Sequence, residues 1–161
     1  MGAEPRVTDQ AAAFDAMLEN GGALMGIDVG TKTLGIATCD AGWRFATAGR
    51  TIPRSKFTRD CEAIRAIATE RRIAGVVVGL PRNMDGSEGP RAQASRAYAR
   101  NIASALSLPV LLWDERWSTT SAEAAMIGQD MSRAKRAERI DSHAAAVILQ
   151  AAIDRLAGSA F

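Results

Sequence analysis

The pattern of apolar and polar positions predicts a β-hairpin near the start of the chain. Residues 23–29 are small and apolar except for Asp28, and residues 33–39 are mostly apolar and rich in β-branched side chains. Residues 30–32, Gly-Thr-Lys, lie between them as a turn, since glycine accepts backbone angles that a side chain forbids. An acid in an apolar strand is costly unless it is paired or binds a cation, so Asp28 is a candidate for chemistry.

Strands and helices alternate through the rest of the chain. Residues 57–72 have the periodicity of an amphipathic helix, and residues 75–79 (GVVVG) form the short apolar run that is typical of a strand buried on both faces. The other predicted elements are a third strand at 44–52, a fifth at 109–113, and helices at 90–106, 118–128 and 141–156. An opening hairpin followed by such alternation indicates an α/β sheet with parallel crossover connections.

A single domain accounts for most of the chain. With 161 residues, the chain is long enough to bury a hydrophobic core of its own. We predict the domain at residues 23–157. Residues 1–22 are expected to form a loose tail and a short accessory helix (9–18), and residues 158–161 a C-terminal tail.

Composition narrows the class of protein. A hydrophobic content of 47% with 24% charged residues is that of an ordinary globular domain, and a net charge of +2 does not by itself indicate nucleic-acid binding. Cys39 and Cys61 lack a metal-ligand spacing and are expected to be buried free thiols, and a single histidine, His143, excludes a histidine-rich zinc site. No apolar segment is long enough to span a membrane, and the N-terminal residues lack the apolar stretch of a signal peptide. We therefore expect a cytoplasmic protein that binds no membrane.

Three acids are expected to meet at one end of the sheet. Ligand sites of parallel α/β sheets lie beyond the carboxyl ends of the strands. Asp28 lies near the end of the first strand, Glu115 follows the last strand, and Asp141 opens the final helix. Convergent carboxylates without histidine or cysteine ligands select a hard cation, Mg²⁺ or Mn²⁺, which can activate water for phosphodiester cleavage.

Each acid also has a purely structural interpretation. Asp28 could form the turn, Glu115 could pair with Arg116 or Lys32, and Asp141 could cap its helix. Three acids at strand ends are harder to explain in this way than one. A DxGT hairpin is also typical of the phosphate-binding turn of sugar kinases, actin and heat-shock ATPases. That fold needs a second half with its own phosphate-binding hairpin and an adenosine pocket, so this class ranks low.

Basic residues near the predicted site are candidates for phosphate binding. Lys32 lies in the hairpin turn, and Arg116 follows the last strand. A basic connector, SRAKRAER, precedes the final helix and supplies Arg133, Lys135 and Arg136. Beside a metal site, these side chains would bind the phosphates on either side of the scissile bond.

Four segments resemble the YqgF (RuvX) family of ribonuclease H-like nucleases. They are, in order, GIDVGTKTLGIA, GLPRNMDGSEGPRAQASRAYARN, WDERWSTTSAEA and DMSRAKRAERIDSHAAAVILQ. The resemblance implies a ribonuclease H-like fold: a five-stranded mixed sheet of order 3-2-1-4-5, with the second strand antiparallel and helices on both faces. It places the family's catalytic acids on Asp28, Glu115 and Asp141. Asp114 stands beside Glu115, and strand alternation alone does not decide which of the two faces the metal.

The resemblance also implies a function. The family has long been described as Holliday junction resolvases and is now mostly assigned to maturing the 5′ end of small-subunit (16S) ribosomal RNA precursors. We therefore expect a metal-dependent endonuclease that hydrolyses phosphodiester bonds in such a precursor. Branched DNA is the alternative substrate, and a non-catalytic nucleic-acid-binding factor ranks lower. A resolvase needs two active sites and hence a homodimer, whereas cutting one RNA strand does not, so monomer and homodimer both stay open.

Overall fold

The apolar segments assemble into a mixed sheet with helices on both faces. The structure, a computed structural model, describes residues 6–18, 21–117 and 133–158, with the backbone alone at residues 117 and 133–142. Its strands are β1 (Val7–Thr8), β2 (Ala23–Val29), β3 (Thr33–Cys39), β4 (Thr47–Pro53), β5 (Ile73–Leu80) and β6 (Val110–Asp114). Its helices are α1 (Ala11–Met17), α2 (Phe57–Glu70), α3 (Pro90–Leu106) and α4 (Arg133–Gly158), with a 3₁₀ turn at Glu115–Trp117.

The topology confirms the predicted fold class. The strands follow the order β1-β6-β5-β2-β3-β4 across the sheet. β3 is antiparallel to β2 and β4, and the other neighbouring pairs are parallel. Leaving out β1, this is the ribonuclease H-like order 3-2-1-4-5 with an antiparallel second strand. The carboxyl ends of β2, β5 and β6 therefore lie together at one end of the sheet.

The prediction of a loose N-terminal tail and an accessory helix needs correction. Val7–Thr8 forms a sixth strand beside β6, and the carbonyl of Arg6 accepts a hydrogen bond from the amide of Val110 at 2.8 Å. α1 belongs to the core of the domain, because the ring of Phe14 is fully buried against the sheet. A methyl group at Gly75 would lie 2.8 Å from that ring, so Gly75 lets α1 approach β5 closely.

The two faces of the sheet bury separate sets of side chains. Met25, Ile27 and Val78 point towards α2 and α3, while Leu24 and Val77 point towards α1 and α4. α4 packs directly on the backbone of the central strand: a methyl group at Gly26 would lie 2.9 Å from both the carbonyl oxygen of Ala145 and Cβ of Leu149. Asp28 follows Gly26 by two residues, so the alternation of β2 turns its side chain to the α4 face.

Some predicted boundaries are also corrected. The third strand begins at Thr47 instead of residue 44, because the side-chain amide of Gln150 binds the chain on either side of Phe45. The final helix begins at Arg133 instead of Asp141, so most of the predicted basic connector is helical. The predicted helix at 118–128 lies outside the described residues. None of the described helices combines the length and apolarity that crossing a membrane requires.

Candidate active site

Asp28 and Glu115 meet beyond the ends of β2 and β6. Gly79, near the end of β5, lies between the strands that supply the two acids. A methyl group at Gly79 would lie 2.6 Å from Oε1 of Glu115, so the carboxyl group rests on the bare backbone of β5. Both acids are half-buried. The structure thus brings together the two predicted acids whose side chains it describes.

The environment of Glu115 is unfavourable for a second negative charge. Burial raises the pKa of Glu115 well above its usual range, and the charge of Asp28 and a hydrogen bond between the two carboxyl groups raise it further. The guanidinium group of Arg91, near the start of α3, lowers this pKa without restoring the ordinary value. At neutral pH the pair therefore holds a proton unless another positive charge replaces it.

Asp114 has a different environment from its neighbour. It lies on the α2 and α3 face with Leu112, and its carboxylate binds Arg116 at 2.6 Å and Arg82 at 3.6 Å. Burial alone would raise the pKa of Asp114, but hydrogen bonds and charge from Arg116, with the charge of Arg82, outweigh that effect and lower it. Asp114 is thus the ion-paired acid, and Glu115 is the acid that meets Asp28.

The same contacts locate Arg116. Its side chain binds Asp114 through Nε and Nη2 and reaches the carbonyl of Met84 at 3.4 Å. It ties the end of β6 to the loop that follows β5. These contacts pair Arg116 with Asp114.

Asp141 lies in α4, where the structure describes the backbone but not the side chain. Position 141 is one helical turn before Ala145 and two turns before Ile148, and these residues pack on Gly26 and Gly79. Its Cα therefore belongs to the stripe of α4 that faces β2 and β5. The basic residues predicted to bind phosphate, Arg133, Lys135 and Arg136, occupy the first turn of α4, and their side chains lie outside the description.

The hairpin turn after Asp28 is fixed by a residue to which sequence reasoning gave no role. Arg54 donates a hydrogen bond from Nη1 to the carbonyl of Gly30 at 2.8 Å, and its amide binds the carbonyl of Lys32 at 2.8 Å. Its guanidinium also lies 5.2 Å from the centre of the Tyr98 ring. The side chain of Lys32, predicted to bind phosphate, is exposed on this turn.

Gly79 and Arg91 are further residues whose roles were not predicted. A glycine within a strand signals close approach of another group, so the end of GVVVG contained a usable signal for Gly79. The charge of Arg91 acts on Glu115 from a helix that is distant in sequence. That electrostatic effect has no local signature in the sequence.

The two carboxyl groups suit a divalent cation. Two buried acids in contact are stable together only if one keeps its proton or a positive charge neutralises both. A hard cation with oxygen ligands would supply that charge. Among the side chains that the structure describes, no group of three metal-ligating residues converges. The third predicted ligand, Asp141, is not among those side chains.

Comparison with known proteins agrees with this architecture. Among solved structures, RuvC of T. thermophilus in complex with a Holliday junction substrate gives a TM-score of 0.56 at 15% identity, covering 85% of this chain and 96% of that chain. The fowlpox virus Holliday junction resolvase gives a TM-score of 0.51 at 12% identity, covering 83% of this chain and 99% of that chain. At these identities the likeness establishes the fold.

Relatives with similar sequences establish the family. A protein of Novosphingobium aromaticivorans named "Putative pre-16S rRNA nuclease" is 64% identical over 155 residues, which are 96% of this chain and 99% of that protein. A protein of the same name from Sphingopyxis alaskensis is 60% identical over 93% of this chain and 98% of its own length. The family model described as "RuvX: Holliday junction resolvase" matches residues 22–155. The chain therefore belongs to the RuvX family.

Proposed function

We propose that this RuvX-family nuclease is a metal-dependent endonuclease that cleaves the ribosomal RNA precursor in maturation of the 16S 5′ end. As a nuclease it is a hydrolase of phosphodiester bonds. The observation that carries the proposal is the contact between the half-buried carboxyl groups of Asp28 and Glu115, with Glu115 resting on the backbone of Gly79. The names of the relatives support RNA as the substrate.

Three acids would hold the metal. Asp28 would supply oxygen ligands from β2, Glu115 from the turn after β6, and Asp141 from α4. Bound between these acids, Mg²⁺ or Mn²⁺ would supply the charge that activates a water and that offsets negative charge at phosphorus. Attack of water on phosphorus forms a new P–O bond and breaks the ester bond to the leaving oxygen, which takes up a proton, so no covalent enzyme intermediate forms.

The chain's own residues orient these groups. Gly79 leaves room for the carboxyl group of Glu115, and Arg54 holds the turn that follows Asp28. Arg116 acts on the acids through Asp114. The proposed phosphate ligands are Lys32, Arg133, Lys135 and Arg136. Their charges offset the phosphates on either side of the cleaved bond.

Cleavage by the purified protein tests this proposal. Asp28→Asn should lower the rate of precursor cleavage in Mg²⁺ or Mn²⁺ by more than about 100-fold, because the variant lacks one anionic metal ligand. Asp15→Asn is the matched control, since Asp15 is exposed on α1. Full activity of Asp28→Asn would contradict the assignment of this acid. Unchanged RNA binding in chelator with no cleavage under any metal would favour a non-catalytic binding factor.

A DNA junction resolvase is the second candidate, because the matching family model is described by that activity. Symmetric cleavage of two strands needs two active sites and hence a dimer. A monomer in analytical ultracentrifugation that leaves four-way junctions intact would exclude it. In cells, depletion followed by mapping of 16S 5′ ends separates the candidates. Accumulated precursor supports RNA maturation, and normal ends with defective recombination support the resolvase.

A further inference from the structure

A concave surface lies at the opposite end of the sheet from the acids. It encloses a cavity of ≈ 860 Å³ where β2, β4 and β5 begin and β3 ends. Phe45, Arg44, Arg71 and Arg72 line it, and we refer to these four residues as the Phe45 surface. From Ala23, at this end of β2, to Asp28 at the other is about 17 Å, at about 3.3–3.4 Å per residue of strand.

Phe45 is held in place although its ring faces solvent. The side chain is 77% exposed, one of two large apolar residues so exposed in the described part of the chain. The amide of Gln150 accepts a hydrogen bond from the backbone of Ala46 at 2.8 Å and donates one to the carbonyl of Arg44 at 3.0 Å. The backbone on both sides of Phe45 is thus bound by a single side chain of α4.

The indole of Trp43 also fixes the loop that carries Phe45. Nε1 of Trp43 donates a hydrogen bond to the carbonyl of Gly22 at 2.7 Å, and the Trp43 side chain packs against the core on the α4 face. The ring of Phe45 is therefore presented on an ordered backbone. A ligand that stacks on it does not have to order the loop first.

The charge around Phe45 is positive. Of the four charged residues that line the cavity, three are arginines and one is an acid, Asp40. Arg44, Arg71 and Arg72 are exposed, and no ion pair within the described part of the chain uses their guanidinium groups. One oxygen of Asp40 accepts a hydrogen bond from the amide of Gly42. The surface thus offers an aromatic ring surrounded by cations.

We propose that the Phe45 surface binds a single-stranded stretch of the nucleic-acid substrate, with a base stacked on Phe45 and phosphates on Arg44, Arg71 and Arg72. The inference rests on the proposed nuclease function and adds a second point of contact to it. Aromatic stacking with basic groups along the backbone is how proteins bind single strands without sequence preference. Stacking needs an unpaired base, so a duplex does not satisfy this surface.

The position of the surface indicates how a strand would reach the acids. β4 lies at the edge of the sheet, and its first four residues, 47–50, are exposed. It starts beside the Phe45 surface and ends next to Arg54, which holds the turn after Asp28. Arg50 is exposed on this strand. A strand lying along β4 would connect the two sites.

Binding in chelator tests the proposal without cleavage. Fluorescence anisotropy of a labelled 20-nucleotide oligouridine is measured with wild type and with Phe45→Ala, and we expect affinity to fall about tenfold with the loss of one stacked base. Arg44→Ala/Arg72→Ala should make the dependence of log affinity on log salt shallower by about 1.4, the contribution of two phosphates on a single strand. Arg59→Ala/Arg100→Ala removes two exposed arginines elsewhere and should leave the salt dependence unchanged.

Phe45→Trp separates stacking from folding. It should keep the wild-type affinity, and oligouridine should quench the added indole fluorescence. If Phe45→Ala binds oligouridine as tightly as wild type, the proposal is overturned. The same result is expected if the surface binds a protein instead of nucleic acid. Equal losses with the Arg59/Arg100 control, or binding of a duplex that depends equally on Phe45, also overturn it.

Cleavage of two substrates distinguishes this proposal from the proposed function. On a fragment too short to span about 17 Å from the scissile bond, Phe45→Ala should cut at the wild-type rate. On a long single-stranded substrate its KM should rise about tenfold with kcat unchanged. If no substrate is cut by any form of the protein, the nuclease proposal fails while the binding experiment still decides the role of Phe45.

Discussion

Gly79 makes room for the acid that meets Asp28. A methyl group there would lie 2.6 Å from Oε1 of Glu115 and 2.8 Å from Cδ1 of Ile148. We predict that Gly79→Ala displaces Glu115 and slows precursor cleavage about 10–100-fold, because small displacements of reacting groups are costly. The check is the single-turnover rate at saturating metal. Gly158→Ala serves as control, since nothing lies within 4 Å of a methyl group at that position. Equal rates for Gly79→Ala and wild type would contradict the placement of Glu115 in the site.

Glu115 is expected to be needed for cleavage but to add nothing to the stability of the metal-free protein. Its carboxyl group is buried against that of Asp28, which is unfavourable for a second charge. We predict that Glu115→Gln abolishes cleavage but leaves the metal-free protein as stable as wild type, or more stable by about 1 kcal/mol. Thermal unfolding in EDTA measures this. Added Mg²⁺ should then raise the melting temperature of wild type and not of the variant, because ligands stabilise the state that binds them. A Mg²⁺-dependent shift of the same size in both proteins would count against metal binding by Glu115.

Single residues also mark where sequence reasoning stops. The motif WDER places two acids in succession after a strand, and the pattern alone leaves open which one meets Asp28. The structure decides through partners that are distant in sequence: Arg82 lies beside Asp114, and Gly79 lies under Glu115. The role of Asp141 in metal binding stays a prediction.

At the scale of the elements, ion pairs stabilise the loop between β5 and α3. Glu88 binds Arg96 at 2.6 Å and Arg82 at 3.3 Å, and the Arg96 hydrogen bond, helped by both positive charges, lowers the pKa of Glu88 despite some desolvation. A lowered pKa means that this stabilisation is present above the unfolded-state pKa, about 4.3, and is lost as the pH falls through the folded-state value.

Glu88→Gln tests this predicted dependence of stability on pH. The substitution should lower the free energy of unfolding by at most about 1 kcal/mol at pH 7, because the pair is partly solvated, and by nothing measurable at pH 2.5. Urea unfolding at the two pH values provides the measurement. Glu70→Gln is a suitable control, since Glu70 is exposed at the end of α2. A stability loss that persists undiminished at low pH would mean that charge is not the cause.

Elements whose bounds are marked by residues within the segment itself were predicted correctly. The hairpin strands β2 and β3 and the helix α3 have the predicted bounds, because alternation, glycine and proline mark them within the segment itself. β1 was missed, because a two-residue strand is defined by its pairing with Val110 and Leu111. The start of α4 was placed too late, although the Arg, Ala, Lys and Glu of the connector are all good helix formers.

At the scale of the whole molecule, the site is assembled from distant parts of the chain. Asp28 comes from the central strand, Glu115 follows β6, and Asp141 lies in the final helix. The family resemblance predicted that these three acids form one site, and the part of Asp141 in it stays a prediction. The Phe45 surface was not anticipated, because a loop residue acquires its order from Gln150, more than a hundred positions later.

The N-terminal strand should control association of the molecule. Without residues 1–9, β6 would become the edge of the sheet, with backbone groups available to another chain. We predict that this truncation lowers the melting temperature and causes concentration-dependent self-association beyond that of wild type, seen by sedimentation velocity. Arg6→Ala is the control, because it keeps the backbone bond to Val110 and removes only the side-chain bond to Ser107. A truncated protein that sediments like wild type at all concentrations would show that this edge does not drive association.

The pairing of β1 with β6 also sets the order in which the protein can fold during its own synthesis. β1 cannot pair until residue 110 has been made, and the central strand β2 lacks the cover of one face until α4 has been made. Contacts of such long sequence separation slow folding and leave apolar strands uncovered in the meantime. Completion of this domain is therefore expected to follow synthesis of α4, with apolar strands left uncovered until then.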